Sequence, residues 1–140
     1  MKIAVIEDSL PVRRLLVKRA EHEAGVTVVA QASGEDEAVE AVLATAPQVV
    51  LLDLHLAPGC GLSVLSRLRR LQFAGEVFVL SATDRGAMAA RCAALGANAF
   101  YDKAFDFEQL LVDLRDLAHR TATHLGKMFQ DAGSCAAVSG

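Results

Sequence analysis

The chain has 140 residues, a formal net charge of −3, and 53% hydrophobic and 22% charged residues, the size and balance of one domain with a single buried core. Aromatic residues make up 5%, tryptophan is absent and no basic stripe is interleaved with aromatics, which argues against nucleic-acid binding by this domain. Cys60, Cys92 and Cys135 form no CxxC pair, so neither zinc nor a disulfide framework is indicated; with no apolar run of signal-peptide or membrane-span length, the expected setting is soluble and cytoplasmic, away from a membrane.

In chain order, Lys2 to Ile6 reads as a first strand. Leu10-Pro11 then opens a helix with the apolar stripe Val12, Leu15, Leu16, Ala20, because proline is tolerated where first-turn amides have no intrahelical acceptor. Gly25 ends it, and Thr27 to Ala30 is strand two. Ser33 with Asp36 resembles a capping box that starts a helix through Ala38, Ala41 and Val42. Pro47 precedes strand three, Val49 to Asp53. After a loop containing Ala57-Pro58-Gly59-Cys60-Gly61, a third helix carries Leu62, Leu65 and Leu68 on one face. Gly75 precedes strand four, Val77 to Ser81; a helix from about Arg85 to Leu95 ends at Gly96; strand five is Asn98 to Asp102. Asp106 with Gln109 can cap a last helix with the stripe Leu110, Leu111, Leu114, Leu117. Periodicity fades after Ala118, so residues 1–120 are expected to form the domain and 121–140 a helix extension and flexible tail.

Short apolar runs alternating with helical patterns predict an α/β fold with a doubly wound parallel sheet, whose right-handed crossovers bring every strand's carboxyl end to one edge. Ligands bind at that edge. Glu7 and Asp8, Asp53, Ser81 and Lys103 all follow strands there. Two carboxylates about 4 Å apart repel by roughly 4 kcal/mol at a surface-like dielectric, so Glu7, Asp8 and Asp53 need a hard cation or a proton. Oxygen-only ligands in an open site suit Mg²⁺. Asp53, ending an apolar strand with a free carboxylate, is the expected nucleophile, while Ser81 and Lys103 can hold phosphoryl oxygens. Singly, each is more often a cap or a solvated charge; four strand ends of one sheet make coincidence a poor account.

This ordered set, Glu7-Asp8, Asp53-Leu54, Ser81-Ala82 and Lys103 after Gly96 to Asp102, resembles the receiver domain of two-component response regulators over about residues 1–120. The resemblance implies a flavodoxin-like five-stranded sheet of order 2-1-3-4-5 with five helices. It further implies that Asp53 accepts phosphate from a sensor histidine kinase or a histidine phosphotransfer protein. Asp8, Asp53 and the His55 backbone carbonyl would bind Mg²⁺, with Glu7 acting through water. Ser81 and Lys103 would hold the phosphoryl oxygens, and His55 and Thr83 would tune its lifetime. Ser81 and Phe100 would form the switch that remodels helix four, strand five and helix five for a downstream effector protein or a second copy of the chain. Such a domain is a signalling phosphoacceptor that promotes only its own phosphorylation and dephosphorylation.

Two positions depart from the family pattern. Ala104 replaces the usual proline after the lysine, which leaves either a trans bond with an altered loop or a strained cis bond, since a cis bond before a non-proline residue costs about 2.5–4 kcal/mol. Pro58 also comes one position late. Arg67, Arg69 and Arg70, and Arg13, Arg14, Lys18 and Arg19, read as solvated helix faces, with docking of an acidic phosphodonor as the functional alternative on helix one. The rival functions are a phosphorylation-independent interaction domain and an aspartyl-phosphate hydrolase; the latter expects a second Asp where His55 stands.

Overall fold

The computed structural model describes residues 1–82 and 85–122. Thr83, His124 and Cys135, and nearly all of the expected tail, lie outside the described residues. Five parallel strands, β1 (Lys2–Ile6), β2 (Thr27–Ala32), β3 (Val49–Asp53), β4 (Glu76–Ser81) and β5 (Ala99–Asp102), stand in the order β2-β1-β3-β4-β5. Between them run α1 (Leu10–Glu23), α2 (Glu35–Thr45), α3 (Gly61–Arg70) and α4 (Arg85–Ala94), and α5 covers residues 107–122. This is the flavodoxin-like order that the family resemblance implies.

Strand alternation divides the core into two layers, because successive side chains point to opposite faces. Ala4, Ile6, Val50, Leu52, Val77 and Val79 pack with α2, α3 and the buried Cys92 of α4. Ile3, Val5, Val49, Leu51, Phe78 and Leu80 pack with Leu16 and Ala20 of α1 and Leu110 and Leu114 of α5. Both faces being covered, the central strands β1, β3 and β4 are apolar and buried between their ends, whereas the edge strand β2 carries exposed Thr27 and Gln31. The β1–β2 ladder shifts register between Ile3 and Ala4, and β2 runs two residues beyond Ala30.

The helix faces correct several expectations. On α1 only Leu16 and Ala20 are buried, and Val12 and Leu15 are 37% and 51% exposed. The helix rolls so that these two residues line an apolar groove of about 250 Å³ with Leu16, Arg19, Leu80, Lys103 and Phe107. Ser33 does not cap α2: the chain enters the helix through extended Gly34, which offers no side chain, and the Ser33 hydroxyl lies 3.4 Å from Glu37 Oε2. Ser9 caps α1 instead, accepting from the Val12 amide at 3.4 Å.

The arginines of α3 are not a solvated face either. Arg67 pairs with Glu35 and Asp36 on α2. Arg69 donates to the carbonyls of Phe73 and Gly75 at 2.7 Å each, twice to Gly96 (3.0 and 2.9 Å), and to Asn98 Oδ1 at 2.9 Å. It thereby joins the ends of α3 and α4 to the starts of β4 and β5. Of these three, Arg70 is the exposed one. On α1, Arg14 and Lys18 are exposed as expected, whereas Arg19 pairs with Glu23 and Glu108 and covers the Phe107 ring.

Candidate functional site

Parallel pairing of β3 between β1 and β4 aligns the strand ends that matter. Ile6 pairs with Leu52, Asp53 with Leu80 and Ser81 with Asp102, so Glu7, Asp53, Ser81 and Lys103 emerge on adjacent strands at one edge. Glu7 and Ser81 are fully buried, Asp53 is 2% exposed, and Asp8 is open to solvent. Glu7, Asp8 and Asp53 can each offer one oxygen, all within 4.8 Å of one another.

The Asp53 carboxylate is not free. Its Oδ1 accepts from the His55 amide at 3.1 Å and its Oδ2 stands 3.0 Å from Lys103 Nζ. Lys103 Nζ also donates to Glu7 Oε1 at 2.6 Å. A strand-end carboxylate 2% exposed needs such partners, because an unpaired buried charge is costly. Burial first, and then the neighbouring Asp53, push the Glu7 carboxyl up to about 7, although Lys103 pulls the other way. Burial would lower the Lys103 ammonium, but hydrogen bonds to Glu7 and Asp53 outweigh it and hold Lys103 above its ordinary value.

Among the described residues, two buried side-chain polar atoms lack a hydrogen-bond partner, Glu7 Oε2 and Arg13 Nε, and both lie at this edge. Arg13 Nη1 donates to the Glu7 carbonyl at 2.8 Å, tying α1 to the end of β1. Three carboxylates against one ammonium leave the cluster negative, and its orphaned oxygen is a ready acceptor site for a hard cation. The donor set is oxygen only and opens to water at Asp8, which fits Mg²⁺.

The loops around the site are tightly specified. Gly61 begins α3 against the backbone of Asp53 and Leu54: a Cβ there would lie 2.3 Å from the Asp53 carbonyl oxygen and 2.6 Å from Leu54 Cα. After Lys103 the question of Ala104 is answered by a trans bond, since the cis peptide among the described residues is Ala57–Pro58. Asp102 Oδ1 accepts from the Ala104 and Phe105 amides at 2.8 and 3.1 Å, and Asp106 Oδ2 accepts from the Asp102 amide at 2.9 Å. Two aspartates thus close the turn that carries Lys103.

His55 is exposed with its amide on Asp53. Phe100 pairs in register with Val79, packs partly buried against the α2–α3–α4 layer, and borders a cavity of about 80 Å³ with Ala89, Cys92, Ala93 and Ala97. Arg13, expected with Arg14 on a solvated face of α1, is instead half-buried against the end of β1 through its bond to the Glu7 carbonyl.

A family model described as the response regulator receiver domain matches residues 3–115. The DNA-binding transcriptional activator EvgA of Escherichia coli is 30% identical over 105 residues, 71% of this chain and 49% of that protein. The chain spans about half the length of several of the curated relatives it matches. A Burkholderia pseudomallei response regulator solved with a phosphorylated aspartic acid, calcium ion and citrate is 28% identical, with a TM-score of 0.72 over 88% of this chain and 71% of that one. The BeF3-activated receiver domain of Klebsiella pneumoniae RstA is 27% identical, with a TM-score of 0.74 over 82% of this chain and 96% of that one.

Proposed function

The chain belongs to the response regulator receiver domains of two-component systems, and from that premise we propose that it is a phosphoacceptor whose nucleophile is Asp53. The observation that carries this reading is the pair of buried carboxylates, Glu7 and Asp53, bridged by the partly exposed Lys103 beside an orphaned carboxylate oxygen. Such an arrangement costs stability unless it serves a ligand.

Asp8, Asp53 and the His55 carbonyl would hold Mg²⁺, with Glu7 acting through water. When bound, the ion supplies neutralisation of the charge on the transferring phosphoryl group. The His55 amide and Lys103 fix the rotation of the Asp53 carboxylate. An Asp53 oxygen then attacks the phosphorus of a phosphohistidine; the new O–P bond forms as the N–P bond breaks, and the imidazole leaves with its electron pair. Lys103, on the edge between both carboxylates, exchanges Asp53 for a phosphoryl oxygen, and Ser81 takes a second. Phe100 swings towards the buried layer as Ser81 is drawn in, which alters the α4–β5–α5 face for an effector protein or a second copy. His55 and Thr83 set the phosphoryl lifetime.

The donor, a sensor histidine kinase or a histidine phosphotransfer protein, has an apolar landing site beside Lys103. That site is the groove lined by Val12, Leu15 and Phe107. Among the described residues no helix is long and apolar enough to cross a membrane. Incubation with acetyl phosphate and Mg²⁺ should add one hydroxylamine-labile phosphoryl group by mass spectrometry. Absence of the increment in the native sequence, or its persistence in Asp53→Asn, would overturn the reading.

A further inference from the structure

The β3–α3 loop, residues 54–60, carries the amide that holds Asp53 and the carbonyl assigned above to the metal, both from His55. The groups that hold this loop come from a different element. Glu35, the first residue of α2, accepts from the Cys60 amide through Oε1 at 3.1 Å. Its Oε2 accepts from the Ser63 hydroxyl at 2.7 Å and from Arg67 Nη1 at 3.1 Å. Its own amide donates to the Pro58 carbonyl at 2.9 Å, and the base of the loop is closed by the Gly61 amide on the Leu54 carbonyl, also at 2.9 Å. One residue therefore grips the loop on both sides of Gly59 and grips the first turns of α3 as well. The approach leaves no room for a side chain: a Cβ on Gly59, whose φ is +95°, would stand 2.4 Å from Glu35 Cβ. Cys60, the residue before α3, makes no side-chain cap bond, so the Glu35 carboxylate is the anion at that helix start.

We infer that Glu35 is a positioning residue for the phosphoacceptor site: it sets where His55 stands, and through His55 how tightly a divalent cation is held beside Asp53, while touching neither. The inference rests on the reading of Glu7, Asp8 and Asp53 as a Mg²⁺ site. Outer groups that orient metal ligands typically change affinity by about 10–100-fold when removed.

Mg²⁺ titration followed by the amide NMR shifts of Asp8 and His55, together with hydrogen exchange over residues 54–60, tests this on the full chain. Glu35→Ala should weaken the Mg²⁺ midpoint by about tenfold and speed exchange of the His55 and Cys60 amides by about tenfold. Glu35→Gln keeps one oxygen for the Cys60 amide and can donate its amide NH2 to the Ser63 hydroxyl oxygen, while Arg67 keeps Asp36, so it should stay within about twofold of the native sequence on both readouts. If Glu35→Ala fails to fold, Glu35→Asp shortens the reach by one methylene and should weaken Mg²⁺ in the same direction. A purely structural Glu35 would lower thermal stability and leave the Mg²⁺ midpoint unmoved, which overturns the inference; so does a Glu35→Gln as weak as Glu35→Ala. A native chain whose amides ignore Mg²⁺ overturns the metal reading itself, and the His55 exchange rate alone then decides whether Glu35 positions the loop.

Discussion

The two ends of α3 handle charge in opposite ways. At its amino end, Gly61 rests on the Asp53 backbone, where Lys103 bridges two buried carboxylates and Glu7 Oε2 has no partner. At its carboxyl end, Arg69 distributes five hydrogen bonds over three carbonyls and Asn98 Oδ1, and that oxygen also accepts from the Val77 amide. Similar residue types serve both ends. A charge whose donors all meet acceptors is a staple, whereas a net-negative cluster with an orphaned oxygen is a site that a ligand completes.

The largest effect that separates the two ends comes from Arg69→Ala. Removing one guanidinium strands several carbonyls, and urea melts should show a loss of about 2–4 kcal/mol. Arg69→Lys should recover little, because an ammonium cannot span that fork. Acetyl phosphate labelling of folded Arg69→Ala should stay within about twofold of the native sequence; loss of labelling would show that the staple and the site act as one.

Next in size is a pH effect confined to the site. The Glu7 carboxyl is pushed up to about 7, so in the window between its ordinary value and about 7 the folded state binds more protons than the unfolded one. Stability without divalent cations should therefore fall as pH rises through that window, by up to about 3 kcal/mol, and Glu7→Gln should flatten the profile. A native profile as flat as that of Glu7→Gln in chelator-treated protein would mean that the cluster is not frustrated.

The smallest effect is the sharpest. Mg²⁺ at tenfold its dissociation constant should stabilise the native chain by about 1.4 kcal/mol in thermal melts, and Arg69→Ala by the same increment. Asp8→Asn should lose it.

Most of the architecture was legible in the apolar runs. Strands buried on both faces cannot alternate in polarity, so Val49-Val50-Leu51-Leu52 and Val77-Phe78-Val79-Leu80 announce themselves, and the polar residue after each is where the chain reaches the edge. Helix faces were less legible. Val12 and Leu15 fit the period that buries Leu16 and Ala20, yet they stay exposed and line an open groove with Leu80 and Phe107. Ser33 and Asp36 had the spacing of a cap, but the loop at Pro58 holds the Glu35 amide and starts the helix one residue past Gly34.

By itself the sequence determined the strands, their alternation with helices and the identity of the groups at the sheet edge, because periodicity and chain connectivity are local properties. Only the tertiary structure decided how those groups are paired. The Lys103 bridge to Glu7 and Asp53, the raised Glu7 carboxyl and the Glu35 grip on the loop of His55 join residues 96, 50 and 25 positions apart along the chain for Glu7–Lys103, Asp53–Lys103 and Glu35–Cys60. Desolvation and hydrogen bonding depend on what surrounds a side chain in space, and spacing along the chain carries no record of that.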